Sequence, residues 1–318
     1  MKILFVMDPL GSINHETDST LVIMKEAWRR GHEINFCTVE DLYIYKAIPY
    51  SLVKKAVFEE GEPLFCLREE SEIALKEVDA IFMRKDPPFD MNYIFATYLL
   101  ELASRDTFII NDPKGVRDAN EKLYALNFPE AIPESLISKD SNRIKDFLDD
   151  VGGEMIIKPL AKCGGEGVFY IQKGDKNLSA LLETSTSFGG EFIMAQRYLP
   201  EIKDGDKRII LLNGEAIGAV SRIPQDDEHR GNIHVGGAGW KCEITNRDKE
   251  LCQMIAPRLR ADGLWFVGLD VIGDWITEIN VTSPTCLVEI NKLNDLRLEE
   301  QIIDFVERKA SSFYSRNN

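Results

Sequence analysis

Gly268-Leu269-Asp270-Val271-Ile272-Gly273-Asp274-Trp275-Ile276-Thr277-Glu278-Ile279-Asn280-Val281 reads as two strands around a turn, and how that turn closes decides the fold of the C-terminal region. With Gly273-Asp274-Trp275 as a three-residue hairpin loop, Asp270 falls opposite Glu278 and Gly268 opposite Asn280. Side chains then alternate between two faces. Val267, Leu269, Val271, Ile279 and Val281 share an apolar face, while Asp270, Glu278 and Asn280 share the other. Oxygen donors of this kind suit a hard divalent cation, above all when phosphate oxygens complete its shell. A two-residue loop would put Asp270 and Glu278 on opposite faces, so the metal reading depends on register. The same alternation marks any antiparallel hairpin with one wet face, and the hairpin alone favours that plainer account.

Working back toward the N-terminus, Lys207–Leu212 and Glu215–Arg222 flank Asn213-Gly214, a strong hairpin signal between apolar runs. A polar, glycine-rich loop (Ile223–Gly239), a helix over Arg247–Asp262 and a C-terminal helix over Leu298–Ser311 complete this part. Before it, a helical Glu121–Leu126, a strand at Glu134–Ile137, a helix over Ser141–Asp149 capped by Ser141, and strands at Met155–Pro159, Val168–Gln172 and Phe192–Leu199 make a compact α+β unit. Residues 1–110 alternate strands (Lys2–Met7, Glu33–Thr38, Ala80–Arg84, Phe108–Asn111) with helices (Ser19–Arg30, Tyr93–Ser104), around a polar, partly hairpin-like stretch. That alternation predicts a mostly parallel sheet with helices on both faces. Expected boundaries are an N-terminal α/β domain over 1–119, a small α+β domain over 120–200 and a C-terminal α+β domain over 201–318.

A chain of 318 residues, 44% hydrophobic and 29% charged, is an ordinary globular composition with room for two or three domains. The net charge of −15 argues against nucleic acid and anionic membranes as partners, because phosphate neutralisation needs a basic surface. Six cysteines without a CxxC pair form neither a zinc site nor a disulfide framework, which fits a reducing cytoplasm. The first apolar run, broken at Asp8-Pro9, is too short for a signal peptide, and no run approaches a membrane span.

Between two predicted strands lies Leu160-Ala161-Lys162-Cys163-Gly164-Gly165-Glu166-Gly167, a loop whose three glycines let backbone N–H groups wrap an anion. Lys158 adds a charge beside it. No GxxxxGK[ST] and no GxGxxG after the first strand are present, so neither a Walker A loop nor a dinucleotide fold is supported, and taken alone the glycines fit a plain hairpin connection better. Lys203, Lys207, Arg208 and Arg222 cluster around the Asn213-Gly214 hairpin, where arginine forks suit carboxylate and phosphate. His229 and Arg230 lie in the long loop. Cys163 reads either as a reactive thiol or, with no neighbouring His or helix N-terminus evident, more readily as a small space-filling residue, and the four histidines show no metal spacing.

Taken in order, these stretches resemble the ATP-grasp ligases, and within them the bacterial-type glutathione synthetase family. The resemblance rests on Met7-Asp8-Pro9, Met83-Arg84-Lys85-Asp86-Pro87-Pro88-Phe89-Asp90, Asn120-Glu121-Lys122-Leu123, Ile157-Lys158-Pro159-Leu160, Lys203-Asp204-Gly205-Asp206-Lys207-Arg208, Arg222-Ile223-Pro224-Gln225, Arg230-Gly231-Asn232 and Gly268 through Cys286. It implies an α/β chain with the ATP-grasp fold. It also implies ATP-dependent joining of γ-glutamylcysteine to glycine, with Mg2+ (Mn2+ as the alternative) and a tetramer of identical subunits. By the same resemblance Lys122, Lys158 and the loop glycines Gly164, Gly165 and Gly167 would hold nucleotide phosphates. Gln196, Arg197, Tyr198 and Leu199 would line the adenine site, with Asp206 near the ribose. Asp270, Glu278 and Asn280 would bind metal, and Arg208 and Arg222 would be catalytic. Arg84, Arg230 and the turn Val281, Thr282, Ser283, Pro284 and Thr285 would contact substrate. The glycine loop is richer in charge than the family's usual Asp-Gly-x-Gly-Gly pattern, and the long loop ends Gly236-Gly237-Ala238-Gly239-Trp240, where an arginine often precedes the last glycine. D-alanine–D-alanine ligases and glutamate-adding peptide modifiers share the ATP apparatus but lack the Arg84–Asp90 and Val281–Thr285 runs. A synapsin-like nucleotide-binding protein should be missing phosphate or metal residues that are present here.

Overall fold

The computed structural model describes residues 1–58, 65–224 and 238–317, with the side chains of 65–69, 238 and 314–317 left aside. Three sheets follow one another along the chain. The first uses β1 (Lys2–Met7), α1 (Ser19–Arg29), β2 (Glu33–Cys37), β3 (Leu42–Tyr45), β4 (Ile48–Phe58), β5 (Phe65–Ala74), β6 (Ala80–Arg84), α2 (Met91–Ala103), β7 (Phe108–Ile110) and α3 (Pro113–Asp118). Its parallel centre runs β2-β1-β6-β7, and an antiparallel group, β3, β4 and β5, extends it beyond β2. Alternation along β1 explains the layering. Leu4 and Val6 face a core shared with Tyr93, Ala96 and Leu100 of α2, whereas Ile3, Phe5 and Met7 face a second core with α1.

The second sheet is small: β8 (Ser135–Ser138), α4 (Ser141–Asp150), β9 (Glu154–Pro159), β10 (Phe169–Gln172), α5 (Leu178–Ser185) and β11 (Ile193–Arg197), in the order β10-β9-β11-β8. It closes over its own core of Ile144, Leu148, Met155, Ile157, Ile171 and Leu182, among others. The cap of α4 is Asp140, whose carboxylate accepts from the N–H groups of Asn142 and Arg143; Ser141 is already inside the helix. Glu121–Leu126 is a turn running into a short 3-10 segment rather than an α-helix, because the Asn120 side chain accepts from the Lys122 and Leu123 N–H groups and fixes the turn.

The third sheet contains β12 (Asp206–Leu212), β13 (Glu215–Ile223), β14 (Ala238–Lys241), α6 (Asn246–Ala261), β15 (Phe266–Ile272) and β16 (Trp275–Asn280), followed by α7 (Leu287–Asn294) and α8 (Leu298–Asn317). Its strand order is β14-β13-β12-β15-β16. Side chains of β12 and β15 enter both cores of the first sheet, so the first and third sheets share their interior while the second keeps its own. No helix among the described residues is long and apolar enough to cross a membrane.

An ion cluster around the buried Glu26 locks α1 onto α8. Glu26 accepts from Arg29 Nε at 2.7 Å and Arg30 Nε at 2.7 Å, and Arg30 reaches Asp304 at 2.6 Å. Burial alone would raise the Glu26 carboxyl, but the two arginines outweigh it and hold it below its ordinary value. A depressed carboxyl stabilises the fold above the unfolded value of about 4.3, and this contribution disappears as pH falls through the folded value. Glu26→Gln should therefore lower stability at pH 7 by about 1–2 kcal/mol, a range discounted for the solvent-exposed Arg29. The difference from wild type should shrink toward pH 3 in urea titrations, and an undiminished difference there would contradict the ion-pair account.

Candidate active site

The opening hairpin closes differently from the sequence expectation. Ile272 pairs with Trp275, so the turn is the two residues Gly273-Asp274 and Trp275 belongs to β16. Yet Asp270 still pairs with Glu278, and Gly268 with Asn280, because the register shifts by one between Asp270 and Val271. Thr277 is the extra residue, and its hydroxyl donates to the Asp270 carbonyl at 3.3 Å. A β-bulge thus does what a three-residue loop was expected to do. Its signature is that the consecutive residues Thr277 and Glu278 line one cleft, while Ile276 and Ile279 both enter the core.

That cleft, of about 80 Å3, lies between the second and third sheets. Its polar wall includes Lys158, Gln196, Asp206, Asp270 and Glu278, with Gly165, Arg197, Tyr198 and Leu199 also at its surface. Ile156, Val168, Ile202 and Ile272 supply an apolar lining that the sequence reading did not single out. A cleft-facing aliphatic, whether on a strand like Ile156 and Ile272 or in a connection like Val168 and Ile202, looks like any core residue in sequence, so nothing marked them.

At the inner end the charges converge. The Glu278 carboxylate lies 3.9 Å from both Lys122 Nζ and Lys158 Nζ. Lys122 also donates to Glu121 at 2.5 Å and to the Lys162 carbonyl at 2.6 Å, which ties the glycine loop to this point. Lys158 donates to the Gln196 side-chain oxygen at 3.0 Å. Burial disfavours the charge on both lysines. For Lys122 the carboxylates of Glu278 and Glu121 outweigh that and raise its pKa; for Lys158, which also faces the Lys122 ammonium, burial wins and lowers it. Glu121, not foreseen as a site residue, is raised by burial and by the nearby Glu278.

Arg208 and Arg222 sit on neighbouring strands without pairing directly: Asp206 is opposite Arg222, and Val220 opposite Arg208. They meet through Asp270. Arg208 grips both its oxygens, Nε to Oδ1 at 2.5 Å and Nη2 to Oδ2 at 2.9 Å, and Arg222 Nη2 lies 3.0 Å from Oδ1. Burial would raise the Asp270 carboxyl, but the two guanidinium groups hold it at about 2. Asn280 donates to Asp270 Oδ2 at 3.2 Å, so the amide joins the same cluster. Asp206 accepts from Arg222 at 2.5 Å through Oδ2, while its buried Oδ1 makes no hydrogen bond; burial pushes this carboxyl up to about 6. Lys207, by contrast, reaches away to Asp248 at 2.6 Å and takes no part.

In the loop after β9, Gly164, Gly165 and Gly167 have φ of +65°, +83° and +70°, a backbone that side chains rarely adopt. A Cβ on Gly167 would come 2.8 Å from the Pro159 ring. Cys163 in this loop is an exposed free thiol and borders a second, smaller cleft, together with Pro87, Phe89, Glu121, Val281 and Thr282. Ser283, Pro284 and Thr285 follow in the connection to α7. Arg84 lines neither cleft. It is buried, donates to Thr20 at 3.0 Å and to the Pro284 carbonyl at 2.9 Å, and keeps Nη1 without a partner. Its position is a clamp on the Val281–Thr285 turn with the Nη1 group left over. Arg230, His229 and most of the Ile223–Gly239 loop lie outside the described residues.

Residues 121–295 match the ATP-grasp domain of prokaryotic glutathione synthetase, and residues 1–117 match the N-terminal domain of the same enzymes. The chain belongs to the prokaryotic glutathione synthetase family. It is an ATP-dependent ligase with the ATP-grasp fold. Glutathione synthetase of Gloeobacter violaceus is 43% identical over 100% of both chains, and that of Vibrio cholerae is 42% identical over 98% of this chain and 99% of its own. Among solved structures, the D-cycloserine synthetase DcsG superimposes with a TM-score of 0.69 over 98% of this chain and 100% of its own, at 14% identity. The ATP-grasp ligase PsnB with Mg and ADP gives 0.63 over 97% and 98%, also at 14% identity. At that identity the likeness concerns the fold.

Proposed function

We propose that this chain joins γ-glutamylcysteine to glycine at the expense of ATP, giving glutathione, ADP and phosphate. The observation that carries the reading is the inner end of the larger cleft, where two lysines flank Glu278 beside Asp270 and Asn280. A triphosphate there would meet cations on one side and oxygen donors on the other. The oxygen-only set fits a hard divalent cation, and Asp270, Glu278 and Asn280 would hold Mg2+, with Mn2+ as the alternative. Bound in that place, the cation would offset charge on the transferred phosphoryl group.

Lys122 and Lys158 would orient the phosphates, and the Gly164–Gly167 backbone would fold over them. Gln196–Leu199 and the apolar lining would take the base. The open Oδ1 of Asp206 would accept from a ribose hydroxyl. A carboxylate is a poor acylating agent because its leaving group would be oxide. Its attack on the γ-phosphorus breaks the bond to ADP and makes an acyl phosphate. The glycine amine, having lost its ammonium proton, then attacks the acyl carbon and expels phosphate. Arg208 and Arg222 would stabilise charge during both transfers. The smaller cleft, with Val281–Thr285 and the Arg84 clamp, would seat the thiol dipeptide and glycine. Closure of the glycine loop would keep water from the acyl phosphate. A reducing cytoplasm suits a thiol substrate, and we read the working form as an assembly of identical subunits, a tetramer as in the family.

Purified protein should release phosphate from ATP only when γ-glutamylcysteine and glycine are both supplied. Equal release with D-alanine replacing either substrate would overturn the assignment.

A further inference from the structure

Helix α2 is apolar nearly all round. From Met91 to Leu100 it carries no charged residue, in a chain where 29% of residues are charged. Such a helix belongs in an interior, and Tyr93, Ala96, Thr97, Leu100 and Ala103 are indeed buried. The opposite face is open: Met91 is 57% exposed, Phe95 53%, Tyr98 50% and Leu102 41%. Steps of four, three and four residues place them in one stripe, about 16 Å long at about 1.5 Å per residue. The only charge of α2, Glu101, is neutralised by Arg117 at 2.8 Å, and the same guanidinium lies 4.0 Å from the centre of the Tyr98 ring.

We propose that this stripe is the contact between two copies of the chain, with their α2 helices antiparallel about a two-fold axis. The stripe is its own complement. Met91 and Leu102 are equidistant from the helix midpoint, and so are Phe95 and Tyr98. A two-fold axis between Ala96 and Thr97 therefore sets Met91 against the partner subunit's Leu102 and Phe95 against the partner subunit's Tyr98, as an isologous contact requires. Charge selects the same surface. Each copy carries −15, so copies repel across most faces, whereas here the one acid is already paired. Aromatic side chains of roughly 150–250 Å2 each, half exposed, leave about 200 Å2 from Phe95 and Tyr98. Met91 and Leu102 bring the stripe to several hundred Å2, the size at which an exposed patch marks an interface. Exposed Ile44 of β3, on the same face as the buried Leu42 that packs with α2, extends it toward the ~800 Å2 per partner of a standard contact.

The inference rests on the reading of the chain as an assembly of identical subunits and not on its activity. Sedimentation velocity of the full chain tests both. Wild type should sediment as a multimer, and Phe95→Glu with Tyr98→Glu should halve its mass with an unchanged far-ultraviolet circular dichroism spectrum. Met91→Glu alone and Leu102→Lys alone should also dissociate it, while the two together should restore association by pairing across the axis. A monomeric wild type would overturn the assembly reading and the stripe together. A wild-type multimer whose mass survives Phe95→Glu with Tyr98→Glu would overturn the stripe alone, and failure of the paired charges to restore association would overturn the antiparallel register.

Discussion

Glu278→Gln is expected to lower kcat by about three orders of magnitude while leaving the fold intact. The side chain is nearly isosteric and only partly buried, so packing changes little. What changes is charge at the point where two lysine ammonium groups each come within 3.9 Å of the carboxylate. Lys122 keeps Glu121 and Lys158 keeps the Gln196 oxygen, so neither is stranded in the variant. Unfolding should shift by no more than a few degrees. The loss falls on turnover, since an amide cannot supply the negative oxygen that a hard cation prefers.

A second measurement separates this account from a general disturbance of the cleft. Without divalent cations, Glu278 faces the phosphates with the wrong sign, so the variant should bind ATP in EDTA as tightly as wild type or tighter. If the variant keeps its turnover within tenfold at ordinary Mg2+, or loses ATP affinity in EDTA, the placement of the metal at this hairpin is wrong.

The bulge that makes this arrangement was not legible in the sequence, although its consequence was. A three-residue loop and a two-residue loop followed by one bulged residue leave Asp270 and Glu278 in the same pairing, and the residue string does not distinguish them. The antiparallel group in the first sheet was legible only as a polar, hairpin-like stretch. Its β3–β4 turn is Lys46-Ala47, both with positive φ but neither a glycine or asparagine, so the usual turn signal is missing. Helix α7 has no side-chain cap bond and starts from Cys286 at φ +82°, so it lacked a start signal, while the Asn177 start of α5 makes no cap bond. The parallel centre, the Asn213-Gly214 hairpin and the long helices announced themselves by periodicity. The Asp270 cluster did not: its arginines come from two other strands, and only the folded register brings Asp206, Arg208 and Arg222 to one carboxylate. Composition could not name the reaction either. The extended runs around Arg84, Lys122 and Asn280 did that by likeness to a family.

Lys158→Met should separate stability from binding. Met matches the length of lysine but carries no charge. Burial lowers the Lys158 pKa, which means that folding penalises its ammonium form at every pH below the folded value. Removing that penalty should offset the bond lost to the Gln196 oxygen, and Glu278 retains Lys122 at 3.9 Å. The ligand-free variant should thus unfold within about 3 °C of wild type, a span of roughly 1 kcal/mol for a chain of this size. Nucleotide binding should behave otherwise. A charge-assisted bond to phosphate contributes about 1.5–3 kcal/mol, so the Kd for ATP should rise about 10- to 150-fold. At an ATP concentration near 100 Kd of wild type, ligand stabilises the fold by about 2.7 kcal/mol; with Kd raised about a hundredfold this falls to about 0.4 kcal/mol. Thermal unfolding with and without ATP therefore reads both quantities in one experiment. A variant that melts far below wild type without ligand would make Lys158 a structural residue. One that keeps the full ATP shift would remove it from the phosphate site.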